Sequence, residues 1–126
     1  MLDRLAQLDA NVAELERLRT AQPSATRDRW ALRYGLIASI QIVIDVACEL
    51  CARRALGTPN TYRRCIELLA QTGLLPPDLA TRLASMVGLR NLLVHEYDAI
   101  DESRLHAALD HLDDLRMFAA SISTLL

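Results

Sequence analysis

The chain contains no lysine: its 14 basic residues are all arginine, set against 16 aspartates and glutamates for a formal net charge of −2. It therefore lacks the global positive field that draws a basic protein onto nucleic acid, and any contact with a phosphate backbone must be local. The arginine-only usage itself is what a GC-rich genome produces. Aromatic residues are equally scarce, at 4%, and glycine and proline number four each. That is too little of the material from which sheets and their many turns are built, while 52% of the chain is hydrophobic. An aliphatic, all-α bundle is expected, as one domain over residues 1–126. A chain of this length has room for a core, yet is small enough for oligomerisation to help it.

Cysteine is sparse too. The three cysteines are an odd number, lie within helical patterns, and follow no recognisable signal peptide, so a reducing, cytoplasmic setting is expected. Cys48-Glu49-Leu50-Cys51 has the C-x-x-C form but no second ligand pair nearby, and it sits mid-helix among apolar residues. Both thiols read as small core residues rather than zinc ligands or a redox pair. Long hydrophobic runs are missing as well: the most apolar stretch, Leu36 to Val46, is broken by Ser39, Gln41 and Asp45 and is too short to span a bilayer, so no membrane segment is expected. There are no internal repeats, low-complexity tracts or linkers.

What is present is helical periodicity. Leu5, Leu8, Val12, Leu15 and Leu18 mark a first helix over about Leu2 to Arg19, which ends at Pro23-Ser24. Ser24 or Thr26 can cap a long second helix that runs through Leu32, Leu36, Ile40, Val43, Ala47 and Leu50 to about Leu56, stopped by Gly57 and Pro59. A third helix, about Thr61 to Gln71, starts behind an Asn60 or Thr61 cap and closes at Gly73. A fourth opens at Pro77-Asp78 and leads through Leu79, Leu83, Met86 and Val87 to Gly88. It can continue through that glycine or break there. A last helix over about Asp101 to Leu125 repeats Leu105, Leu112, Ala119 and Leu126 at sevens, with Leu109, Leu115 and Ile122 between, giving about five antiparallel helices.

The chemistry gathers in Arg90-Asn91-Leu92-Leu93-Val94-His95-Glu96-Tyr97. On a helix Asn91 and His95 stack one turn apart, with Arg90, Val94 and Tyr97 on the adjoining strip, so the reactive groups share one arc. A guanidinium can hold a phosphate by a planar two-pronged hydrogen bond, and an imidazole can exchange a proton near neutral pH. The set suggests phosphate-ester chemistry without a metal. Glu96, Asp98 and Asp101 could in principle bind a cation, but alternating carboxylates near a helix end read as solvent-facing. His106 and His111 read as surface residues. The arginine pairs Arg53-Arg54 and Arg63-Arg64, flanking the turn at 57–60, could form a phosphate-binding rim; solvated helix ends are the preferred reading.

From Met86 to Asp101 the sequence resembles the signature of HepT toxins in the HEPN superfamily, whose motif is Arg-x4-His-x-Tyr. The resemblance extends to the leading helix, the segment Ser39 to Asp45, the Thr61-Tyr62-Arg63 helix start and the Leu75-Pro76-Pro77 break. It implies a small helical ribonuclease toxin of a type VII-like toxin–antitoxin system. Such a toxin is a homodimer, or a larger homo-oligomer, with the active site where two copies of the motif meet. It is paired with a minimal nucleotidyltransferase antitoxin that transfers AMP to the motif tyrosine. Arg90 and His95 then correspond to the catalytic pair, Asn91 to a positioning residue and Tyr97 to the AMP acceptor. The substrate is RNA, whose ribose 2′-hydroxyl supplies the nucleophile, so that no metal or other cofactor is expected. One candidate catalytic histidine per chain is too few for paired proton transfer, and a close approach at Gly88 would bring in the second copy. Two alternatives stay open: a catalytically inactive HEPN-type nucleotide-binding or interaction module, and a purely structural bundle.

Overall fold

A computed structural model describes residues 1–21, 26–95 and 102–126. Six α-helices are found among the described residues, and no strand. They are α1 (Leu2–Ala21), α2 (Thr26–Arg53), α3 (Tyr62–Gln71), α4 (Pro77–His95), α5 (Glu102–Leu109) and α6 (Leu112–Ser123). The all-α expectation holds. The spine is α2, which packs against α1, α3, α4 and α6; α1 also lies along α6, and α3 along α4. The periodic residues are what the packing buries. Leu5, Leu8, Val12 and Leu15 of α1 join Leu32, Leu36, Ile40, Val43 and Leu50 of α2 in one core that draws on every helix.

By length and composition α2 could cross a bilayer, although half of its most apolar window is enclosed by the bundle. The expectation from Leu36 to Val46 alone understated that helix. Two aromatic side chains near its start, Trp30 and Tyr34, stand outside the core at 71% and 74% exposure.

Two helix ends differ in an instructive way. α3 ends as foreseen: Gly73 takes the left-handed conformation (φ 81°), while the Leu74 N–H reaches the Leu69 carbonyl at 2.8 Å and the Gly73 N–H the Ala70 carbonyl at 3.1 Å. This paired closure satisfies carbonyls that the helix itself leaves open. The end of α2 makes the same closure, Leu56 N–H to Cys51 carbonyl at 3.0 Å and Ala55 N–H to Ala52 carbonyl at 3.2 Å. Its left-handed residue is Ala55 (φ 52°), not a glycine. Hence α2 stops at Arg53, short of the expected Leu56, and Gly57 lies beyond the cap.

The expected last helix is two helices. Asp110 and His111 form a tight turn, with N–H groups bonding three residues back to Ala107 and Ala108. Sequence periodicity missed it because Leu109 and Leu112 both stay buried across the kink, so the apolar rhythm is unbroken. The new helix start is held by Asp114, 6% exposed, whose Oδ1 accepts from Arg82 Nε of α4 at 2.9 Å. Leu126, the last residue of the heptad reading, is half exposed.

Candidate active site

Helix α4 passes unbroken through Gly88 and ends at His95, so Arg90, Asn91 and His95 occupy its last two turns. Leu93 on the opposite side is buried and anchors that end in the core. Facing these turns is the start of α3, fixed by Thr61, whose Oγ1 accepts the Arg64 N–H at 3.1 Å. The cap is thus Thr61 rather than Asn60.

Between the two walls lies an open cleft of about 1160 Å³. Arg90, Asn91 and His95 line one side; Tyr62 and Arg63 line the other; the turn at 57–60 closes one end, with Cys48, Cys65, Val87 and Gly88 also in the lining. None of the lining residues is a carboxylate. Elsewhere among the described residues, Arg4, Arg53, Arg64, Arg82 and Arg116 each pair with an aspartate or glutamate. An acidic protein thus keeps a concave patch whose described lining carries arginine and no carboxylate, which is where a phosphate would be drawn.

Within the cleft, Arg90 Nη1 donates to Asn91 Oδ1 at 3.1 Å, and the guanidinium carbon sits 5.9 Å from the centre of the Tyr62 ring. Its Nε is enclosed and has no hydrogen-bond partner among the described residues. The contact that Asn91 makes is thus with the arginine beside it. His95 is exposed at the mouth. Tyr97, with Glu96, Asp98 and Asp101, lies outside the described residues. No group of three potential metal ligands occurs among the described residues. His106 and His111 are exposed, as expected.

Two features depart from the sequence reading. The arginine pairs do not act alike: Arg53 and Arg64 are bound to Glu49 and Glu67, while Arg63 turns into the cleft, its Nη2 donating to the Ala84 carbonyl at 3.4 Å. Tyr62 carried no assigned role from sequence. The only signal was the proximity of Arg63-Arg64 to the turn, which cannot say which arginine points inward. The cysteines also differ from simple core residues. Cys51 and Cys65 are buried, but Cys48 is only partly so and borders the cleft with Cys65. Burial, reinforced by a hydrogen bond with Cys65, pushes the Cys48 thiol up to about 12, so it is no nucleophile at neutral pH.

A family model described as Ribonuclease HepT-like matches residues 1–122. The chain belongs to this family. A HepT-like relative, the mRNA nuclease HepT of Shewanella oneidensis, is 37% identical over 76 residues, covering 60% of this chain and 57% of that protein. The tRNA nuclease HepT of Aphanizomenon flos-aquae is 35% identical over 69 residues, 55% of this chain and 47% of the relative. The matched segments thus span about half the length of these curated relatives. The fold is close to that of a tri-AMPylated HEPN toxin of Shewanella oneidensis solved in complex with MNT antitoxin: TM-score 0.90, 24% identity, 97% of this chain and 95% of that one. The HepT-like bundle is therefore the HEPN toxin fold.

Proposed function

We propose that this HepT-like chain is a metal-independent endoribonuclease and the toxin of a toxin–antitoxin pair. The observation that carries the reading is the convergence of Arg90, Asn91 and His95 in a cleft without described carboxylates. Its relatives bear the names mRNA nuclease and tRNA nuclease.

In the reaction, the ribose 2′-oxygen attacks the adjacent phosphorus and the bond from phosphorus to the 5′-oxygen breaks. His95, as neutral imidazole, takes the 2′-hydroxyl proton. Arg90 faces the charge that builds on the non-bridging oxygens, and its bond to Asn91 fixes the plane of the guanidinium. A second acid protonates the departing 5′-oxygen. A homodimer that apposes two clefts would supply it as the His95 imidazole of the second copy. The products are a 2′,3′-cyclic phosphate and a 5′-hydroxyl. The substrate provides its own nucleophile, so no step calls for a metal ion.

Control falls to Tyr97. A nucleotidyltransferase antitoxin would join the tyrosine oxygen to the α-phosphorus of ATP, releasing pyrophosphate and leaving AMP two residues from His95. The added phosphodiester would compete with RNA for Arg90. The three free thiols favour a cytoplasmic setting.

Expression of the chain without its partner should arrest growth, and His95→Ala or Arg90→Ala should relieve the arrest at equal protein level. Continued arrest by either variant would show that the toxicity comes from another part of the molecule.

A further inference from the structure

We propose that Tyr62 and Arg63 form the substrate-binding wall of the cleft, Tyr62 stacking an unpaired base beside the cleaved linkage and Arg63 holding a neighbouring phosphate. The inference rests on the ribonuclease reading of Arg90 and His95 and names its substrate class, single-stranded RNA.

Tyr62 is a large aromatic side chain that the core leaves 47% exposed, directly on the cleft. As the first residue of α3, behind the Thr61 cap, it stands on a fixed backbone. The Arg90 guanidinium lies over one face of the ring, 5.9 Å from its centre, so a base stacked on the other face has its phosphate near the group that stabilises the transition state. Base–aromatic stacking needs a base free of its own helical stack, which a single strand offers and a duplex withholds.

Arg63 adds the second contact. Its one hydrogen bond among the described residues is the 3.4 Å contact to the Ala84 carbonyl, leaving most of its five N–H donors for a ligand. Its Nη2 lies 4.0 Å from where a side chain on Gly88 would begin. Gly88, Asn91 and His95 follow one another on a single stripe of α4, and the rise from Gly88 to His95 is about 10 Å. That length exceeds the stacked-strand rise of about 3.4 Å per nucleotide, so it can span at least two successive phosphates. The scissile phosphate then sits at Arg90 and His95, with a neighbour at Arg63.

The test uses the full chain and a fluorescein-labelled, mixed-sequence single-stranded RNA with 2′-O-methyl riboses, which lacks the nucleophile and stays intact. Binding is read by anisotropy for that strand, for copies abasic at one position at a time, and for its duplex. Cleavage of the unmodified strand is followed in parallel. Tyr62→Phe, which keeps the ring, should retain most of the binding that Tyr62→Leu loses. Tyr62→Leu should bind the intact strand about five- to a hundredfold more weakly and raise KM more than it lowers kcat. That penalty should vanish for one abasic position. Arg63→Gln should weaken binding and reduce the salt dependence by about one phosphate contact, and the duplex should bind more weakly than the single strand. If native protein cleaves RNA but Tyr62→Leu loses only kcat on the unmodified strand and binds the intact strand and every abasic copy as native protein does, Tyr62 merely positions Arg90 and the stacking proposal is overturned. If both variants equal native protein, or the duplex binds better, the proposal falls while the ribonuclease reading stands. If native protein neither binds nor cleaves the strand, both fall.

Discussion

The guanidinium of Arg90 rests 5.9 Å from the ring centre of Tyr62, joining the last turns of α4 to the first residue of α3 across the cleft. With Nη1 bound to Asn91 Oδ1 and Nε enclosed, the arginine is tied to its own helix while it lines the cleft. A lysine would keep the charge but lose the fork and the stacking. Arg90→Lys should therefore lower kcat for RNA cleavage about 100-fold or more while leaving the melting temperature nearly unchanged. Retention of near-native kcat would show that charge alone suffices.

Tyr97 is expected to be the acceptor of control. Incubation with the cognate nucleotidyltransferase and ATP should add mass in AMP-sized steps, map them to Tyr97 and silence cleavage. Tyr97→Phe should stay folded and unmodified. AMP found on the exposed Tyr34 or Tyr62, or neutralisation with no AMP added, would place control elsewhere.

The two matched helix ends make a stability prediction. Ala55 carries a left-handed conformation that costs a side chain about 1 to 2 kcal/mol, whereas Gly73 carries it without that cost. Ala55→Gly should raise the free energy of unfolding by about 1 kcal/mol, and Gly73→Ala should lower it by a similar amount. Urea titrations with an unchanged slope would measure both. A destabilised Ala55→Gly would mean that the cap is held by contacts other than its backbone geometry.

The cysteines predict a pH dependence. With Cys48 pushed up to about 12, only about one part in ten thousand is thiolate at pH 8, so native protein should alkylate far more slowly at this position than unfolded chain. An unfolded thiol ionises near 9. The unfolded state therefore sheds its proton first, and stability should fall as pH rises from about 9 toward 12. Cys51, also raised by burial, acts in the same direction. Rapid alkylation of Cys48 in folded protein would contradict this.

Much of the bundle was legible because burial follows periodicity: the leucines of α1 and the Leu32 to Leu50 stripe of α2 are where the 3.6-residue rhythm puts them. Arg90, Asn91 and His95 could be grouped for the same reason, lying on one unbroken helix. What could not be read depends on contacts between helices. The break at Asp110-His111 is hidden by an apolar rhythm that it preserves, and the helix after it is anchored by the ion pair of Asp114 with Arg82, 32 residues apart in sequence. Tyr62 and Arg63 join the site only because α3 packs against α4. Ala55 at a position that favours glycine follows no local rule, so the end of α2 was misplaced.

In the proposed reaction Arg90 and His95 cleave RNA through the substrate's own 2′-hydroxyl. The most direct measurement incubates purified protein with single-stranded RNA in excess EDTA and identifies the new ends by mass spectrometry, alongside His95→Ala and a strand with 2′-deoxy residues. Native protein should leave 2′,3′-cyclic phosphate and 5′-hydroxyl ends, with no cleavage of the 2′-deoxy strand and none by His95→Ala. Cleavage of the 2′-deoxy strand, 3′-hydroxyl ends, or full activity of His95→Ala would contradict it.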